Sequence, residues 1–162
     1  MTLRKALSML MTTAVVLALA TTALAQATGP GTLPEGWERV EAGAGRTAAV
    51  RHKDTLSVLE VTQLDVTADD VPATLKDIAA ALTKDGFQPS GKAQNVNIGG
   101  LDAVQSRFAR SVLDHDFKLM LISVHHKGQL WQFSLIYRPN EKTDEAALEK
   151  DAQSFAASVI KA

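Results

Sequence analysis

The run "LMLISV", Leu119 to Val124, constrains this chain more than any other stretch. In an extended backbone successive side chains point to opposite faces, so Leu119 and Leu121 fall on one side and Met120, Ile122 and Val124 on the other. Both faces are then apolar and both need cover, which predicts a central strand with other elements packed above and below it. The strand reads from Asp116 to His126, and "KGQ" joins it to a second, Leu130 to Arg138. There Trp131, Phe133, Leu135 and Tyr137 share one face, while Gln132 and Ser134 share the other with Leu130 and Ile136. Pro139 ends it, since proline cannot donate to a ladder.

The first half repeats the strand signal in shorter pieces. "WERVEAG", "RTAAVRH" and "LSVLEVTQL" are separated by the turn signals "GAG" and "KDT", which predicts an antiparallel meander. The period then changes: Val71, Leu75, Ile78 and Leu82 are spaced as on one helix face, with Asp69 or Asp70 as cap, Pro72 in the first turn and Gly86 just past the end. "AQNVNI" and "LDAVQSRFAR" flank Gly99-Gly100, a pair free to take the positive φ angles of a two-residue hairpin. A last helix begins near Thr143, with Asp144 and Glu145 in its first turn, and buries Leu148, Ala152, Phe155 and Val159. The expected fold class is α+β: one antiparallel sheet sandwiched by helices.

Not all of the 162 residues belong to that domain. Residues 1–25, "MTLRKALSMLMTTAVVLALATTALA", have a positive start at Arg4 and Lys5, an apolar run from Ala6 to Ala20, and small residues at Ala23 and Ala25. This is the pattern of a secretory signal peptide cut after Ala25, and it predicts a periplasmic protein with no membrane span after cleavage. Gln26 to Gly36, "QATGPGTLPEG", reads as a flexible leader, and the single domain as 37–162. The removed segment holds Arg4 and Lys5 and no acid, so the formal charge falls from −1 to −3. That balance does not attract nucleic acid or an anionic membrane surface. The chain has no cysteine, hence no disulfide, no thiolate nucleophile and no lipid-attachment cysteine.

Three of the four histidines crowd into "SVLDHDFKLMLISVHHKG", beside Asp114 and Asp116. At about 3.3 Å per residue, His115 and His125 lie roughly 33 Å apart along one strand. A zinc ion needs its ligands within about 2.1 Å, so they cannot share one. His125 and His126, as successive strand residues, point to opposite faces. "DHD" is read as a turn and "HHKG" as a polar hairpin tip. One alternative stays open: His52 ends an earlier strand and meets His125 or His126 if the two tips fall at the same end of the sheet, which would give a metal-binding protein or an enzyme.

Other chemistry is thinner. "GAGRT" lacks the spacer and the Gly-Lys-Ser/Thr end of a phosphate loop, and neither a Gly-x-Ser-x-Gly elbow nor a His-Glu-x-x-His pair occurs. Asp65, Asp69, Asp70 and Asp77 gather where a helix starts, the ordinary place for caps. Trp131 and its aromatic neighbours read as core. No catalytic set, metal or cofactor is expected, and the chain is read as a non-enzyme. The surfaces left for binding are the tips His52 to Thr55 and His125 to Gln129, with His52, His125, His126 and Lys127 as candidate contacts, and the leader.

The order "LPEGWERV", strands, one helix, "VNIGGLDAVQSRFAR", "LMLISVHHKGQLWQFSLIY" and a terminal helix ending "FAASVIKA" resembles the PsbP-like superfamily, in particular exported bacterial proteins of the DcrB type. The resemblance covers Leu33 to Ala162 and rests on Pro34-x-Gly36-Trp37, the Gly99-Gly100-Leu101 turn, and Phe155 and Ser158 in the last helix. It implies an antiparallel sheet between helices. It also implies a protein that binds other proteins without catalysing a reaction, here an exported accessory module with an unidentified protein partner. No site residue of that family carries over to this chain. A small apolar ligand held between helix and sheet is a further alternative.

The export reading has a direct check. The mature protein should begin at Gln26 and lie in the soluble periplasmic fraction, which intact mass decides. A full-length chain in the membrane fraction would make the apolar run an anchor.

Overall fold

In the computed structural model, residues 29–162 are described, so the expected signal peptide and the first residues of the leader lie outside the described residues. The alternation at Leu119 is realised in β7, His115–His126, which pairs with β6, Leu101–Val112, on one side and with β8, Gln129–Tyr137, on the other. Beyond β8 follow β3, Ser57–Asp65, then β2, Ala48–His52, and β1, Trp37–Val40. The far side of β6 carries two short edge pieces, β4, Gln88–Pro89, and β5, Gln94–Ile98. All eight strands form one antiparallel sheet in the order β1-β2-β3-β8-β7-β6-β4, with β5 also on β6. The meander and the Gly99-Gly100 hairpin are as expected; β4 was not foreseen.

Two helices close the two faces that β7 opens. Met120, Ile122 and Val124 join Val61, Phe133 and Leu135 beneath α2, Glu145–Lys161, which contributes Leu148, Ala152, Phe155 and Val159. Leu119 and Leu121 join Leu64, Leu130 and Phe108 beneath α1, Val71–Lys84, which contributes Ile78 and Leu82. The sheet is therefore buried between helices, the α+β sandwich expected from the pattern.

The helix ends follow local chemistry with one departure. Asp144 caps α2, its Oδ1 accepting from the Ala147 N–H at 3.0 Å. Asp70, foreseen as a possible cap of α1, makes no such bond; its carboxylate instead accepts from the Thr67 hydroxyl at 2.7 Å across a 3-10 turn, Ala68–Asp70. Beyond Lys84 the chain reverses at Gly86, φ +89°, and the Phe87 N–H returns to the Leu82 carbonyl at 3.0 Å.

Two expectations differ from the structure. "DHD" is not the turn: β6 and β7 run on until Val112 pairs with His115, so the two-residue turn is Leu113-Asp114. The second concerns the leader, which from Gly29 onward is not free. The Thr32 N–H bonds Ser158 Oγ at 2.9 Å, and the Arg39 guanidinium reaches the carbonyls of Pro30 and Gly31. Gly31 sits so close to α2 that a Cβ would lie 2.6 Å from Val159 Cγ2. A Gly/Pro-rich segment looks flexible by composition, but here its lack of side chains is what allows close approach.

Phe133 is fully buried, 0 % exposed, whereas Leu56 is 46 % exposed. Phe133→Ala should cost about 3–5 kcal/mol, and Leu56→Ala no more than about 0.5 kcal/mol, by urea unfolding.

Candidate functional site

The strand directions decide what the histidines can do together. Arg51 pairs with Val58, so His52 lies at the Ser57 end of β3, the end where Ser57 meets Tyr137. His126 pairs with Gln129, which meets Asp65 at the opposite end. The length of β3 separates them, roughly 26 Å at strand rise. The alternative site built from His52 with His125 and His126 is therefore not assembled, because the two hairpin tips fall at opposite ends of the sheet. Among the described residues no three His, Asp or Glu side chains gather closely enough to hold a metal ion.

His52 and His125 each have a local partner instead. His52 stands edge-on to the Trp37 ring, centroids 5.3 Å apart, and its Nδ1 accepts from the Asp54 N–H at 3.2 Å. It also lies over Gly36, where a Cβ would be 3.0 Å from Nε2. The Trp37 indole N–H in turn bonds Asp151 Oδ2 of α2 at 2.8 Å. His125 Nε2 sits 2.9 Å from the Val66 carbonyl, so that nitrogen carries the proton and donates it, pinning the segment that leads into α1. His126 points to the other face, and Lys127 is exposed, with φ +50°, in the two-residue turn with Gly128.

The groups with displaced acidities lie elsewhere, on the α2 face. Lys118 Nζ bonds both carboxylate oxygens of Glu145 at 2.7 and 2.8 Å, and the Tyr137 hydroxyl donates to Glu145 Oε2 at 2.9 Å. One turn along α2, Glu149 takes a two-pronged bond from Arg107, at 2.9 and 2.7 Å. Gln153, a further turn on, donates to the buried Gln105 at 2.8 Å, and Ala157 comes after it against Gly99. The residues 145, 149, 153 and 157 form one helix ridge laid antiparallel along β6. The Lys118 ammonium, and after it the Tyr137 hydroxyl, hold the Glu145 carboxyl below its ordinary value. Burial first and the Glu145 bond second push the Tyr137 phenol above its own. The Glu149 bond raises the Arg107 guanidinium further. These are opposed charges bonded to one another, an arrangement that fixes a helix on a sheet.

A feature the sequence reading passed over lies at the other end of β6 and β7. The flanking strands stop at the pairs Lys118–Tyr137 and Pro89–Phe108 with Gln88–Ala109, so Arg110 to Phe117 project as a two-stranded ribbon. At its tip Leu113 has φ +48° and is 88 % exposed, and Asp114 has φ +62°. Such a turn takes Asn-Gly by preference. The signal was present in "SVLDHDF", a strand pair joined by Leu-Asp where a compliant pair belongs.

No protein-family model and no curated protein matches this chain. Solved structures do. A protein from Bacteroides thetaiotaomicron VPI-5482 superposes with a TM-score of 0.55 at 17% identity over 79% of this chain, which spans 42% of that protein. LpqN, involved in cell envelope biogenesis of Mycobacterium tuberculosis, gives 0.51 at 19% identity, covering 82% of this chain and 79% of LpqN. The cyanobacterial PsbP, CyanoP, of Synechocystis sp. PCC 6803 gives 0.51 at 15% identity over 86% of this chain and 96% of its own. The fold is PsbP-like, as the resemblance implied.

Tyr137 is the one tyrosine of the chain, so its titration can be read without overlap from another phenol. Its raised value means that the folded state keeps the proton: the stabilisation is complete below about pH 10 and is lost as pH rises further. An absorbance titration should show no phenolate in the folded protein at about pH 10, and Tyr137→Phe should remove part of the alkaline loss of stability. Glu145 has the opposite sign. Its depressed value contributes stability above the ordinary carboxyl range, and the difference between parent and Glu145→Gln should vanish as pH falls from about 5 to about 2.

Proposed function

We propose that this chain is a non-enzymatic, exported accessory module that docks onto a protein partner through the tip of the β6–β7 hairpin. The observation that carries this reading is Leu113. A leucine in the left-handed region costs about 1–2 kcal/mol, and its side chain is presented to water at the tip of a ribbon that runs beyond the flanking strands. Strain and exposure fall on the same residue, and a bound partner relieves the second. Asp114 and Asp116 flank it, so the receiving pocket is apolar with a basic rim. The acidic flanks disfavour an anionic membrane as the partner.

Export rests on residues 1–25, and it accords with LpqN, a protein of cell envelope biogenesis. The finer placement among DcrB-type exported proteins belongs to this proposal and rests on Pro34-x-Gly36-Trp37 and the Gly99-Gly100-Leu101 turn. The absence of catalysis is likewise proposed, and it is supported by the most displaced ionisable groups being engaged in holding α2.

The double variant Leu113→Asn with Asp114→Gly installs the pair that the turn prefers. It should raise the melting temperature by about 3 °C and abolish crosslinking of a partner to the ribbon in the host periplasm. A variant that loses stability, or one that keeps its partner, overturns the reading.

A further inference from the structure

The two helical layers differ in a way that packing alone does not explain. Seven polar residues are buried along their whole length among the described residues, and five of them, Thr62, Thr74, Ser123, Gln132 and Ser134, belong to the layer between α1 and the sheet. Thr62, Gln132 and Ser123 form one rung across β3, β8 and β7. The two in the other layer are satisfied, Gln105 by Gln153 and Ser57 by Thr55. Gln132 is not. It has no exposed surface, its Nε2 makes a long bond of 3.3 Å to Ser123 Oγ, and its Oε1 has no partner. Turning the amide over exchanges the orphaned atom without removing it. An unpaired buried amide is costly where leucine or methionine would fill the same space, so the amide answers to something besides the core.

The helix above that rung is held unlike its counterpart. α2 is tied to the rest of the fold through Glu145, Glu149, Asp151, Gln153 and Ser158. Among the described residues no side chain of α1 bonds the sheet; the Thr83 hydroxyl donates within the helix, to the Ala79 carbonyl at 2.9 Å. Fixed points lie just outside it: the His125–Val66 bond before, and Gly86 with the buried Phe87 under Arg110 after. A segment clamped at both ends and held by apolar contact between them can lift as a unit.

We infer that the layer beneath α1 is a binding site for a small neutral molecule with an apolar body and a carboxamide or alcohol head. The head pairs with Gln132, and the body lies among Leu64, Leu121, Leu130 and Ile78 as α1 moves aside. The head must both donate and accept, because the free amide atom can be either. The ligand is neutral because the rung carries no charge and the nearest ion pair, Arg46 with Glu60 at 2.6 Å, is matched within itself. Apolar walls with one or two placed polar groups are the usual lining of a small-molecule site. This inference is independent of the hairpin tip.

The test uses the purified protein with octanamide, and octanoate as the charged control, followed by calorimetry and amide NMR. Octanamide should bind saturably, shift the Gln132 side-chain resonances and the backbone of α1, and leave α2 unmoved. Octanoate should bind at least about tenfold more weakly, and Gln132→Met should weaken octanamide about tenfold while raising the melting temperature. Absence of saturable binding, equal binding to Gln132→Met, or shifts that map elsewhere overturns the inference. So does a Gln132 amide bonded to a buried water that octanamide leaves in place. The resonance mapping is made on the wild-type chain and decides the matter even where Gln132→Met does not fold.

Discussion

Everything in this fold depends on β7 being apolar on both faces. Met120, Ile122 and Val124 on one side and Leu119 and Leu121 on the other are all nearly inaccessible to water. A strand of that kind cannot sit at an edge or face solvent, so it needs neighbours on both flanks and a layer on both faces. Each buried side chain contributes about 1.5–3 kcal/mol relative to exposure, enough that no alternative register competes. With no cysteine in the chain, this burial takes the place of disulfides.

Given that frame, the two helices are attached by different physics. α2 lies on its face by shape and also by charge: Lys118 and Arg107 of the sheet meet Glu145 and Glu149, spaced one turn apart. These pairs are partly exposed and individually worth only about 0.2–1 kcal/mol, yet they set where along β6 the helix rests. Trp37 and the segment Gly29–Gly36 secure the opposite flank of the same helix. α1 has apolar contacts with the sheet and, among the described residues, no side-chain bonds to it, and it covers the rung of buried polar groups. One helix is fastened and the other rests, which is how a rigid scaffold can carry a part that moves.

Much of this was legible in the residues. The period of Val71, Leu75, Ile78 and Leu82, the alternation around Leu119, and Gly99-Gly100 each report a local rule that tertiary structure did not override. The histidine question needed more. Their separation along one strand followed from spacing, but whether His52 met His125 depended on strand order, which is a property of non-local pairing. Composition predicts a flexible leader because it describes an isolated chain, whereas within the described residues Gly31 lies against Val159, where a side chain would not fit. "DHD" reads as a turn because aspartates favour turns, whereas the ladder continues to Val112–His115 and places the left-handed pair at Leu113-Asp114. Gln132 and Ser134 share a strand face with Leu130 and Ile136; the structure buries both polar side chains, and nothing in their own neighbourhood of sequence announces it.

The unlike attachment of the two helices is open to a single measurement, native-state hydrogen exchange of the free protein across increasing urea. Amides of β7, β8 and α2 should exchange only through global unfolding, with the full denaturant dependence. Those of α1 should exchange through a smaller opening, at lower free energy and with a weaker urea slope. Exchange of α1 and α2 at the same free energy and slope would mean that the helix over Gln132 is as firmly held as the one over Phe133, and would contradict the account.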